Sequence, residues 1–174
     1  MEFSIDKSVE ILERTPALLE HLLNGISNEW TLNNEGGETW SVFDVIGHLV
    51  HGEQTDWMVR AEQIVSKTAG KNFSTFDRFA QFENSKGKTL EQILGDFTAL
   101  RMANIEKLRQ LNITEDDLNK TGIHPTFGAV TLTQLISTWV VHDLDHIAQI
   151  ARIMAKQYKE QTGPWVAFLK ILQQ

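Results

Sequence analysis

The sequence predicts an all-α fold, a four-helix bundle with short additional helices, on three observations. Three segments set a hydroxyl residue three positions before an acid or amide at the head of an apolar run of helical period; there the two side chains satisfy each other's orphan N–H groups at a helix N-terminus. Glycine and proline punctuation divides the chain into about four helix-sized pieces. No stretch of useful length alternates β-branched with polar residues, so no strand pair is expected.

The first helix runs from about Asp6 to Gly25 and carries Val9, Ile11, Leu12, Leu18, Leu19, Leu22 and Leu23. Thr15-Pro16 falls inside it, where proline either opens a helix or kinks one already begun. Ser41 to Asp44 opens the second, near 41–68, with the stripe Val42, Ile46, Val50, Trp57 and Ile64. Thr89 to Gln92 opens the third, near 89–111, and Thr131 to Gln134 the fourth, near 131–158. The links are unequal, roughly 15 residues before the second helix and roughly 20 on either side of the third, which allows crossover connections. Phe73, Phe76, Phe79 and Phe82 recur every third residue and predict a short helix with one aromatic edge. It would serve as a flap on the bundle, or as a pocket lining or subunit contact. Gly163-Pro164-Trp165 marks a break before a short apolar helix docked on the body. Residues 1–174 read as a single domain.

Composition narrows the chemistry. The chain has no cysteine, which removes disulfides, thiolate-held clusters, Cys-ligated zinc and a cysteine nucleophile. Its 16 Lys and Arg against 23 Asp and Glu give −7, against duplex nucleic acid as a partner. No apolar run approaches a membrane span, and the first residues lack a signal-peptide pattern, so a cytoplasmic protein without a membrane partner is expected.

The chemistry-bearing candidates are histidines. His142 and His146, four apart in Val141 to Gln149, project about 40° from each other on a helix. They share a face with Leu135, Trp139, Ile150 and Ile153, so the pair points inward. Buried imidazoles need partners. Those are carboxylates or backbone carbonyls on one reading, and a metal ion on the other. Asp143 stands where the His-Glu-x-x-His zinc-protease motif has glutamate, which sets a metalloprotease aside. His48, in Gly47-His48-Leu49-Val50-His51-Gly52-Glu53, is the candidate third ligand, though periodicity alone leaves its face open. Glu53 and Arg60 fall on the apolar stripe, where they would pair mutually or support ligands. His51 is a surface residue or a support for His48. Asp143, Asp145 and Gln149 could orient ligands or substrate, Asp145 before Asp143, with an exposed helix carboxylate as the alternative for Asp145. His124, before Pro125, fixes its loop. No nucleophile elbow, phosphate loop, dinucleotide fingerprint or paired Glu-x-x-His motif is present, so no catalytic residue is assigned.

Taken together, Trp40-Ser41-Val42, the segment from Gly47 to Glu53, His124 to Leu132, Trp139 to Gln149 and Gly163-Pro164-Trp165 resemble the DinB/YfiT-like superfamily over nearly the whole chain. That resemblance implies an up-down-down-up bundle, often a homodimer, linked to stress response. It implies a divalent ion, zinc or nickel before iron or manganese, held by His48, His142 and His146. It further implies transferase chemistry on a low-molecular-weight thiol, such as bacillithiol, mycothiol or glutathione, and a small electrophile, in the service of detoxification. Hydrolysis of a small ester or amide, or a non-enzymatic helical dimer, are the alternatives.

Overall fold

The structure is a computed structural model that describes residues 1–68 and 70–173. Ser4 caps α1 (Ile5–Leu12), which bends at Glu13 and resumes as α2 (Arg14–Leu23). Glu13 keeps helical dihedrals, so Pro16 kinks a helix already begun. Proline has no N–H for the Leu12 carbonyl four residues back; Arg101 Nη1 donates to that oxygen instead, at 3.0 Å. A short α3 (Asn28–Leu32) follows.

All three expected capping boxes form. Ser41 and Asp44 head α4 (Val42–Thr55), which breaks at Asp56 and continues as α5 (Trp57–Val65). The helix expected over 41–68 is therefore two segments, because Asp56 leaves helical geometry at φ −116°, ψ −76°. After α6 (Ala80–Asn84), Thr89 and Gln92 head α7 (Leu90–Gln110). The one-turn α8 (Glu115–Leu118) leads to β1 (Thr121–His124) and β2 (Gly128–Thr131). Thr131 and Gln134 head α9 (Leu132–Lys156), and two 3₁₀ turns, Gly163–Phe168 and Lys170–Leu172, close the chain.

Three expectations need correction. An antiparallel strand pair exists, running from Thr121↔Thr131 to His124↔Gly128. It is too short to show a period-two pattern. The phenylalanine series is not one helical edge. Phe73 lies in an extended segment whose N–H donates to the Ile123 carbonyl at 2.9 Å, and only Phe82 falls within α6. The last segment is 3₁₀ rather than α, with Trp165 and Phe168 exposed and Leu172 docked.

Contacts fix the helix directions. α6 lies on α4 and returns the chain to the start of α4, so α7 runs alongside α4/α5 in the same direction, with Arg101 and Asn104 both reaching Glu53. α9 runs opposite, with Trp139 at Glu53 and His142 at His48. α2 runs antiparallel to α7, giving the up-down-down-up order. Two apolar clusters fill the bundle. One gathers Leu12, Trp57, Ile64, Phe73, Ile105, Leu108, Ile136 and Trp139, the other Leu19, Leu23, Val42, Ile46, Phe97, Ile150 and Ile153. Between them, on neighbouring turns, sits a belt of buried polar side chains: His48, Glu53, Arg101, Asn104, Asp143 and His146. No described helix is long and apolar enough to cross a membrane.

Candidate metal centre

The belt has two halves, and each explains the other. In the inner half Arg101, wholly buried on α7, donates to both carboxylate oxygens of Asp143 (2.5 and 2.9 Å) and to Glu53 Oε1 (2.9 Å). Asn104 Nδ2 donates to Glu53 Oε2 at 2.9 Å and Trp139 Nε1 to Glu53 Oε1 at 3.0 Å. Burial would lower the Arg101 pKa, but the charges and hydrogen bonds of Glu53 and Asp143 outweigh it and raise it above the ordinary value. This network ties α4, α7 and α9 together immediately behind the histidines.

The outer half is the histidine cluster. His48 stands on α4, and His142 and His146 on successive turns of α9. His142 Nε2 lies 3.1 Å from His48 Nε2 and 3.1 Å from His146 Nε2, and the three ligand atoms fall within 4.8 Å of one another. Three nitrogens bound at about 2.0–2.1 Å to one tetrahedral ion stand about 3.3–3.4 Å apart, close to the two separations of 3.1 Å that His142 makes. Gln149 Oε1 accepts from His146 Nδ1–H at 2.7 Å, which places the proton on Nδ1 and turns the Nε2 lone pair toward the other rings. One ring proton cannot satisfy three converging nitrogens, whereas one cation can. The donor set therefore fits a divalent ion that accepts imidazole. Among the described residues, His48 Nδ1 and His142 Nδ1 have no partner.

The surroundings hold these rings in place. Gly47 lets Ser85 approach α4 so closely that a Cβ there would stand 2.6 Å from Ser85 Oγ. Trp40 packs against His48 with centroids 5.0 Å apart. Its loop is anchored where Glu35 accepts from Arg152 Nε (2.8 Å) and Nη2 (3.0 Å), with Lys156 Nζ also 2.8 Å away. The Arg152 hydrogen bond, helped by Lys156, lowers the Glu35 pKa to about 2 against the opposing effect of burial.

The other sequence candidates fall as follows. His51 is buried rather than on the surface, against Phe76 and within 3.5 Å of Asn84 Nδ2. Glu53 and Arg60 do not pair with each other. The break at Asp56 carries Arg60 out of the α4 register, and it pairs with Asp56 at 2.5 Å while Glu53 joins Arg101. Gln149 reaches His146, whereas Asp145 is exposed and its neighbour Asp143 points inward. His124 Nδ1 accepts the N–H groups of Thr126 and Phe127, so it fixes a hairpin turn. Sequence reading missed Arg101 and Asn104. The signal was there: Phe97, Arg101, Ile105 and Leu108 keep helical spacing, so a cation on that stripe needed buried carboxylates.

Beside the histidines opens a pocket of about 320 Å³. His48, Gly52, Trp57 and His142 form its inner wall, and Phe73, Phe76 and Phe127 its apolar sides. Asp56 and Arg60 mark its far end, on α4/α5 turns successively farther from His48. Burial raises the Asp56 pKa to about 6 despite Arg60.

Burial, with the neighbouring rings adding to it, pushes His48 down to about 3 and His142 down to about 2; burial also lowers His146. The three rings are thus neutral at pH 7, as ligands must be. Below the unfolded-state value near 6.5 the unfolded chain takes up protons that the folded rings refuse. Metal-free protein should therefore lose stability as pH falls from about 6.5, by about 1.4 kcal/mol per pH unit for each of His48 and His142. Asp56 acts oppositely between about 6 and its unfolded value, because its folded form binds the proton more tightly, and offsets about one ring. Urea unfolding of metal-free protein at pH 7.5, 6.5 and 5.5 checks this. A stability unchanged from 6.5 to 5.5 contradicts it, and His48→Gln should make the slope shallower.

Comparison with known proteins bears on the fold and the site. The sequence model of the DinB superfamily matches residues 11–150. Among solved structures the chain is similar to YfiT from Bacillus subtilis, with a TM-score of 0.73 and 21% identity over 93% of this chain and 91% of that one. That protein is described as a probable metal-dependent hydrolase with an unusual four-helix bundle topology, and the likeness establishes the same fold here. Comparison with curated proteins gives no match.

Proposed function

The chain belongs to the DinB superfamily, and from that membership and its site we propose that it is a cytoplasmic metal-dependent enzyme transferring a low-molecular-weight thiol onto a small electrophile. The observation that carries this reading is the convergence of His48, His142 and His146 Nε2, with His48 and His142 at the wall of an apolar pocket. When bound there, a divalent ion, zinc or nickel before iron or manganese, supplies Lewis acidity and deprotonates a coordinating thiol at neutral pH.

The chain's own residues supply the rest. Three neutral imidazoles add no charge, so the ion keeps its full positive charge, and three protein ligands leave a position open. Gln149 holds His146 in the required tautomer, and the Arg101 network keeps α4 and α9 in register. The apolar pocket walls exclude water from the electrophile. The sulfur must come from a cosubstrate, since the chain has no cysteine. Thiol transfer is preferred over hydrolysis because, among the described residues, the one carboxylate lining the pocket, Asp56, is paired with Arg60 and lies eight residues from His48. Among the described residues no unpaired carboxylate lines the pocket to serve as a base for water, whereas a thiol that loses its proton on coordination needs none.

Hydrolysis of a small ester or amide is the second reading, favoured by the description of YfiT. Metal-loaded protein incubated with 1-chloro-2,4-dinitrobenzene or 4-nitrophenyl acetate, with and without glutathione or cysteine, separates the two. Thiol transfer predicts metal-dependent consumption of the chloroarene that requires thiol. Ester turnover that ignores thiol assigns the hydrolase, and no metal-dependent turnover of either removes both. A homodimer is the proposed assembly, and its mass in solution tests that directly.

A further inference from the structure

Trp57 and Trp139 stack with centroids 5.9 Å apart and planes 9° apart, but their N–H groups differ in fate. Trp139 Nε1 donates to Glu53 in the core. Trp57, only 6% exposed, has no hydrogen-bond partner for its Nε1–H among the described residues. An indole nitrogen can only donate, and this one keeps its edge open rather than sealed in the core.

Its location gives this a use. The Trp57 ring meets the His142 ring edge-on, with centroids 5.0 Å apart. Gly52, one turn beyond His48, lines the pocket, and a Cβ on it would stand 3.2 Å from Trp57 Nε1. The donor edge thus borders the pocket beside the histidines, and the missing side chain at Gly52 keeps it uncovered. Around it, Phe73, Phe76 and Phe127 offer apolar surface. The volume, about 320 Å³, lies at the small end of ligand sites and suits a small molecule. With Asp56 tied to Arg60, no unpaired carboxylate among the described residues lines the pocket to attract a cation.

We propose that this pocket binds a flat, apolar small molecule carrying a carbonyl or carboxylate oxygen, and that Trp57 Nε1–H is the donor that takes that oxygen. The aromatic walls hold the flat portion, and the indole fixes its rotation with the oxygen-bearing edge beside His48 and His142. The placement of a reacting atom there rests on the metalloenzyme reading; the binding itself does not. Trp57 is held by its stack on Trp139, which Glu53 locks in turn.

Benzoate is the probe, titrated into metal-free and zinc-loaded protein carrying ¹⁵N-labelled indoles. The chain has five tryptophans, and the Trp57 signal is the one absent from Trp57→Phe. The expected result in metal-free protein is a downfield shift of that signal with slowed solvent exchange. Benzoate affinity should weaken about tenfold in Trp57→Phe and in Gly52→Ala, with zinc uptake unchanged. An unmoved Trp57 signal at saturation, unaltered affinity in Trp57→Phe, or no benzoate binding to either form would overturn the proposal. Failure to take up zinc alongside a shifted Trp57 signal removes the metalloenzyme reading alone. Full zinc uptake with an unmoved signal removes this one alone.

Discussion

Arg101→Met is expected to destabilise the protein by about 3–5 kcal/mol, because it leaves buried carboxylates without their cation. Arg101 is fully buried and serves Asp143, Glu53 and the Leu12 carbonyl at once. Its guanidinium also lies over the rings of Phe97 and Trp139, 4.8 and 5.2 Å from their centroids. Methionine keeps much of the volume but none of the five donors. The urea midpoint should fall with little change in slope, and Tm should drop on the order of 10 °C. Adding Asp143→Leu to Arg101→Met should recover part of the loss, since it removes one orphaned charge. A single variant within about 1 kcal/mol of the parent would mean the belt is not a structural keystone.

The second large effect is at His142, the ring common to both short nitrogen contacts. His142→Ala should abolish metal-dependent turnover, because two imidazoles cannot retain the ion that three hold. Its effect on the metal-free fold should be small, within about 1 kcal/mol of the parent, since His142 Nδ1 is already buried without a partner and the ring borders an open pocket. The contrast shows in melts with and without zinc. At 100 times the dissociation constant the ion should stabilise the parent by about 2.7 kcal/mol and the variant not at all. A variant stabilised by zinc as strongly as the parent would place the ion elsewhere.

These two sites differ in how far they could be read from the chain. Three of the four main helices were legible because Ser41, Thr89 and Thr131 each announce a helix start with a partner three residues on, and all three boxes form. The inward face of His142 and His146 was legible because α9 is long and regular, so 100° arithmetic holds over its length. The same arithmetic failed across Asp56, where the helix bends and the expected Glu53–Arg60 pair gives way to Glu53–Arg101 and Arg60–Asp56. The face of His48 was not legible, because it lies well away from the stripe of Val42, Ile46 and Val50, and α4 is buried on every side from Val45 to Glu53; the family resemblance supplied that ligand. Asp143 was passed over for Asp145 because their partner lies on α7, and only packing brings Arg101 to one of them. The hairpin was missed because each strand has four residues and a mostly exposed face.

The central claim is that His48, His142 and His146 form one metal site. Metal content of purified protein tests it most directly, after growth with zinc, nickel, iron and manganese and exhaustive dialysis. The parent should carry about one equivalent of divalent ion, and His48→Ala, His142→Ala and His146→Ala each less than about a tenth of that. A parent without metal under every condition, or variants that keep the parent's stoichiometry, would contradict it.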